Sequence, residues 1–170
     1  MTYFVTEQYL KLNTSITQNV DANDIIPLIK TSADMRVRSI LGTYFYKDLL
    51  TKFNAQTLNS NEVTLVEDYI KPAVAWRASS EAIIELSYQL KNKGIQTQSG
   101  DYSTSPEQSA VMFNYHHKAD KAAFYENRLE QYLIDNKALF PVFTSQSNTD
   151  SVAKGKCSSA NLFNTNIHFI

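Results

Sequence analysis

Apolar and polar positions alternate along this chain with a helical rhythm. Ile25, Leu28, Ile29, Met35, Ile40 and Leu41 recur at helical spacing and predict one apolar helix face. Asp24 reads as the N-cap of that helix, with Pro27 in its first turn, where a missing N–H costs nothing. Gly42 reads as its stop, in a left-handed C-cap. "TYFYKDLLTKF", Thr43 to Phe53, predicts a second short helix capped by Thr43. From about Asn61 or Glu62 to Lys93 runs the longest helical pattern, with Val66, Tyr69, Ile70, Ala73 and Val74 on one face and Ile83, Leu86 and Leu90 continuing it. Pro72 lies inside it and predicts a kink or a restart. Beyond it, "AVAWRASSEA" is rich in small residues that let another helix come close, with Trp76 filling the gap.

The remaining segments fit around this frame. Tyr3, Phe4 and Val5 form an apolar leader to a short helix, "TEQYLKL", capped by Thr6. "NKGIQTQSGDYSTSPEQ" breaks the helical pattern; "IQTQ" and a turn at Gly100-Asp101 predict a short hairpin. Ser105-Pro106-Glu107 opens a last long helix, to about Asn136, whose seam is Met112, Tyr115, Ala119, Ala122, Leu129 and Leu133. Pro141 prevents its continuation, while Phe140, Val142 and Phe143 pin its end. The reading is all-α. It is a helical bundle of about four main helices with a hairpin-like insertion at about 94–106. Residues 1–143 form the helical domain. Residues 144–170 are polar and short of core formers, and predict an extended interaction tail. Ile167 and Phe169 alternate with polar neighbours, as in a strand with one buried face.

Composition sharpens this picture. The four glycines and four prolines are few, which favours long helices over a many-stranded sandwich. The ten tyrosines suit either an outer core or a protein interface. Sixteen basic residues against seventeen acidic ones give no electrostatic footprint for nucleic acid or an anionic membrane. A single Cys157 excludes an intrachain disulfide and a cysteine-only zinc site, and fits a reducing cytoplasm. The first residues lack a basic start and a long apolar run, so neither a signal peptide nor a transmembrane helix is expected.

Candidate chemistry is sparse. His116 and Asp120 stand four apart on one helix, as metal ligands can, but a third ligand at helical spacing is missing. Glu81 and Glu85 are also four apart, and a solvated face is the ordinary reading. Ser32, Ser79 and Ser80 have no G-x-S-x-G setting, and Cys157 lies in a basic context without a rigid partner base. No enzyme, cofactor or metal is expected. Arg36, Arg38, Lys47 and Lys52 give the first helical hairpin a mild basic bias. The alternative reading is therefore a helical DNA-binding packaging protein using residues 24–53.

The order of features resembles a known family. "DIIPLIKTSADMRVRSILG" runs into "TYFYKDLL", which is similar to an "LG..LY..L" pattern. "YIKPAVAWRASSEAI", the polar insertion opening "KGIQTQSGD", and "YENRLEQYLIDNKALFPVF" follow in order. Over residues 1–143 this resembles the head–tail connector, or adaptor, proteins of tailed phages, especially the variant of crAss-like phages infecting gut Bacteroidetes. The resemblance implies a structural virion protein that docks beneath the portal in a ring of about twelve copies, with head-to-tail contacts. It implies a place at the head–tail junction after assembly in the bacterial cytoplasm. Its partners would be the portal protein, neighbouring copies of itself, and tail or second-ring proteins. DNA would pass through the lumen only as non-specific cargo, and no membrane is involved. The family has no catalytic residues, so none are transferred. Its C-terminal segment reaches the portal or an adjacent subunit, which makes Leu162, Phe163, Ile167, Phe169 and Ile170 the partner-interface candidates.

Overall fold

A computed structural model describes residues 3–91, 94–97 and 107–159. The fold is all-α. Helix α1 (Glu7–Asn13) is capped by Thr6, whose hydroxyl accepts from the Tyr9 N–H at 3.2 Å. Before it, Phe4 and Val5 are buried, as an apolar leader should be. Helix α2 (Ala22–Ser32) starts three residues earlier than expected. Asp21, not Asp24, is the N-cap, and its Oδ1 accepts from the Asn23 N–H at 2.8 Å. Pro27 is consequently inside the helix.

Helix α2 passes through a π turn, Ala33–Val37, into α3 (Arg38–Leu41). Ile25, Ile29, Ala33, Val37 and Leu41 are all buried and recur every four residues. That spacing drifts around an α-helix of 3.6 residues per turn. The wide π turn takes up the drift and holds the five side chains on one face. It also corrects the sequence reading of Met35, which is 66% exposed while Val37 takes the inward position.

Gly42 separates α3 from α4 (Thr43–Ala55) with φ +82° and ψ 149°. Its φ is positive as expected, but its ψ lies outside the left-handed helical region. Thr43 is the first residue of α4 and not its cap. After α4, Asn59 and Glu62 form a capping box that starts α5 (Ser60–Thr64). Glu62 is nearly buried and also accepts from Lys52 Nζ at 2.7 Å, tying α5 to α4.

A second π turn, Leu65–Ile70, joins α5 to α6 (Lys71–Ser87). The four-residue rhythm returns here, with Glu62, Val66, Ile70, Val74, Ala78 and Ala82 all buried. Pro72 follows directly. The helix stays continuous, and the Lys71 N–H reaches back five residues to the Val66 carbonyl. Of the expected kink or restart, the restart does not occur, and a widened turn accommodates the missing donor.

Helix α6 ends at Ser87, short of the expected Lys93. Strands β1 (Tyr88–Lys91) and β2 (Gly94–Thr97) follow and pair antiparallel, Tyr88 with Thr97 and Lys91 with Gly94. The hairpin therefore begins earlier than the expected 94–106 insertion, using residues whose apolar pattern continues that of the helix. Gly100 and Asp101 lie outside the described residues.

Helix α7 (Gln108–Asp135) packs antiparallel along α6, which packs in turn on α2. The pairing is fixed by Tyr69 stacked on Tyr132 at 4.0 Å and by Arg77 bound to Glu126. Ala122, Leu129 and Leu133 of the expected seam are buried, as are Ala75, Ala78 and Ala82 of α6. A 3-10 turn (Lys137–Leu139) leads to α8 (Pro141–Thr144), where Pro141 occupies the first turn. Phe140 and Phe143 tilt against Phe45 at 5.8 Å each, which pins this end to α4.

The chain beyond Phe143 requires the largest correction. Residues 144–159 do not form an extended tail. Asn148, Ser151 and Ala153 are buried, and α9 (Val152–Ser159) packs on α3 and α7. The physical reason is polar: this segment is held by hydrogen bonds to helix ends, which apolar patterning does not reveal.

Candidate functional site

The interface candidates Leu162, Phe163, Ile167, Phe169 and Ile170 all lie outside the described residues. The described structure offers other surfaces. Helix α7 turns Ala122 inward, and Phe124, two residues and about 200° further around, points outward. Phe124 is 61% exposed and Phe113, about three turns earlier on the same face, is 72% exposed. Between α6 and α7 the rings of Trp76, Phe124 and Tyr125 line an open notch of about 430 Å³. Lys121 Nζ stands over the Trp76 ring at 4.6 Å, and His117 and Asp120 complete the rim. Trp76 is thus a wall of this notch and not a plug in the core.

Below the notch, Arg77 is nearly buried and bidentate to Glu126, with Nε to Oε1 at 2.7 Å and Nη2 to Oε2 at 2.9 Å. The Glu126 hydrogen bonds raise the Arg77 pKa against the opposing effect of burial. The pair locks the register of α6 on α7 and so fixes where the aromatic notch sits. Arginine in the middle of the small-residue run "AVAWRASS" is the signal that could have disclosed it.

The remaining sequence candidates separate. The His116 ring meets Tyr115 edge-on at 5.4 Å, whereas His117 and Asp120 belong to the notch. Among the described residues no group of three or more His, Cys, Asp or Glu side chains is placed to hold a metal ion. Glu81 borders a cleft of about 90 Å³ with Ser32, Met35, Arg36 and Arg77, while Glu85 is exposed. Ser79 and Ser80 are buried in α6, and Cys157 falls in α9. Of the basic residues proposed for DNA, Lys52 is paired with Asp48 and Glu62 at 2.8 and 2.7 Å. Arg38 Nε donates to Thr43 Oγ1 at 3.0 Å. Two of the four side chains thus have partners inside the chain.

The junction between α3 and α4 is the feature that sequence reasoning missed. Asn148 Nδ2 donates to the Leu41 carbonyl at 2.8 Å and to the Phe143 carbonyl at 3.0 Å. Its Oδ1 accepts from the Phe45 N–H at 3.4 Å. Asp150 Oδ1 accepts from the Thr43 N–H at 2.9 Å, and its Oδ2 accepts from the Thr43 hydroxyl at 2.5 Å. Ser151 Oγ donates to the Ile40 carbonyl at 2.5 Å. One segment therefore caps the end of α3 and the start of α4 together. Hydrogen bonds from Thr43 hold the Asp150 carboxyl below the usual carboxylate range. Asn, Asp and Ser are the residue types that cap helices, which was the available signal. The helices they cap are more than a hundred residues away in sequence.

Among the described residues no helix is long and apolar enough to cross a membrane. Searches of curated proteins and of solved structures return no match. A family model, described as a family of unknown function (DUF6712), matches residues 37–152. The match runs from the π turn to the first residue of α9, so it takes in Gly42, the notch and the whole capping segment. Because it covers more than half of the chain, this protein belongs to the DUF6712 family.

Proposed function

We propose that this protein is a structural virion subunit, a ring-forming head-to-tail connector that docks beneath the portal of a tailed phage and links it to the tail. The reading rests on the collinear resemblance described above, and one structural observation supports it best. Helix α7 presents Phe113 and Phe124 to solvent, and the Trp76 notch opens beside Phe124 between α6 and α7. Exposed aromatic side chains grouped on one helix face are characteristic of protein interfaces. A ring built head to tail needs two different patches per subunit. Leu12 on α1 and Met35 in the π turn, 69% and 66% exposed, supply apolar surface on other elements. Leu162, Phe163, Ile167, Phe169 and Ile170 are the further candidates for contact with the portal or a neighbouring copy. DNA is cargo in the lumen, and a net charge of −1 suits passage better than a grip on phosphates.

The test is genetic and structural. A phage whose copy of this gene is deleted should produce DNA-filled heads without tails, and the supplied protein should restore whole particles. Phe124→Glu should fold normally and fail to restore them. Tailed, infectious particles at normal yield from the deletion phage would overturn the proposal.

A further inference from the structure

A second groove, apart from the aromatic notch, lies where the loop after α1 meets α6 and α7. It has a volume of about 430 Å³. Its walls are Ile16 and Val20 from the loop, Ala82, Ile83 and Leu86 from α6, and Val111 from α7. On α6 these positions fall at helical spacing from Ser79, and on α7 Val111, Asn114 and Lys118 share one stripe. The antiparallel pairing of the two helices places Lys118 toward the Ser79 end and Val111 toward the Leu86 end. Ser79 and Lys118 thus mark one end, an apolar wall runs on from them, and Ser15, Thr17 and Ser87 add polar lining.

The polar end is chemically unfinished. Ser79 is fully buried, and its Oγ has no hydrogen-bond partner among the described residues. Its neighbour Ser80, by contrast, bonds back to the Arg77 carbonyl at 2.7 Å. Lys118 is half-buried, and none of the ion pairs among the described residues includes it. Burial and the nearby Lys121 lower its pKa, the signature of a cation without a counter-ion. Other partly buried lysines are satisfied: Lys11 by Glu7 and the Val20 carbonyl, Lys154 by the Asn148 carbonyl. Asn114 Nδ2 donates to the Ala110 carbonyl at 3.0 Å, and Lys118 is the charged donor of the α7 stripe.

We propose that this groove binds a small monocarboxylate with an apolar body. The carboxylate meets Lys118 and the Ser79 hydroxyl, and the body lies along Ile83, Leu86 and Val111. The site's volume falls within the range of small-molecule sites, about 300–1,000 Å³. Charge complementarity selects the head group, and a carboxylate can accept from an ammonium and a hydroxyl at once. The site is independent of the connector reading and can stand if that reading fails.

The experiment is calorimetric titration of the full chain with decanoate, decanol and decylamine, each below its micelle concentration. Decanoate should bind one to one, decanol more weakly, and decylamine not at all. Lys118→Met should weaken decanoate about tenfold and leave decanol unchanged, the effect of one charge-assisted contact. Ile83→Glu places a carboxylate in the groove and should abolish decanoate binding. Both variants change half-buried positions, and matching circular dichroism and melting curves establish that they fold. The proposal is overturned if decanoate shows no saturable binding, or if Lys118→Met binds decanoate as well as the parent does.

Discussion

Asn148 fills the space that a side chain at residue 42 would occupy. A Cβ built on Gly42 would lie 2.1 Å from Asn148 Oδ1, and the Asn148 amide donates to the carbonyl of Leu41 beside it. Glycine is required at residue 42 for two reasons: its φ of +82°, and the asparagine that lies against it. Gly42→Ala should therefore do more than strain the backbone, because it evicts the cap shared by two helices. Backbone strain alone costs about 1–3 kcal/mol at such a position. With the lost hydrogen bonds, urea denaturation should show a loss of about 3–5 kcal/mol. A loss under about 1 kcal/mol would show that the junction relaxes freely.

The segment after Phe143 should be part of the folding unit. Deleting residues 145–170 removes Asn148, Asp150 and Ser151 and exposes the ends of α3 and α4. Such a protein should unfold at markedly lower urea than the full chain. Asn148→Ala alone should account for about 2 kcal/mol, the upper range for a capping residue. A truncated chain as stable as the parent would restore the boundary at 143 that the sequence suggests.

Acid should weaken the same junction through Asp150. Its carboxyl pKa is lowered from an ordinary 3.8 by hydrogen bonds from the Thr43 hydroxyl and N–H. A lowered folded-state pKa favours the fold above the unfolded pKa, and that contribution is lost as pH falls through the folded value. Stability measured from about pH 5 down to about pH 2 should fall more steeply in the parent than in Asp150→Asn. Parallel curves would remove Asp150 from the cap. The exposure of this residue keeps the effect small.

Breaking the Arg77–Glu126 pair from one side should be costly. Either Arg77→Met or Glu126→Leu leaves a nearly buried charge unpaired, at about 3–5 kcal/mol by chemical denaturation. The double variant should recover most of that loss, since packed apolar groups replace a buried ion pair well. Single variants with near-parent stability would mean that solvent reaches the pair.

Much of the fold was legible because it follows from local rules. Thr6 caps α1, α4 begins at Thr43, and Ala122, Leu129 and Leu133 form the α7 seam as their spacing implies. The two π turns were also written in the chain, in apolar residues repeating every four positions. The 3.6-residue template applied to them gave Met35 the wrong face. The end of α6 was not legible, because Leu90 continues the helical pattern yet belongs to a strand.

The candidate site divides along the same line. Helix periodicity is local, so the sequence by itself determined an all-α chain, the order of its main helices and many of its buried positions. Which exposed aromatics gather at one notch depended on the Arg77–Glu126 register, which forms only when α6 and α7 meet. The polar closure around Gly42 lay furthest from view. Asn148, Asp150 and Ser151 look like loop residues until folding brings them to helix ends more than a hundred positions away. Hydrogen bonds of that kind carry no periodic signature, so only the tertiary structure could decide that residues 144–159 belong to the domain.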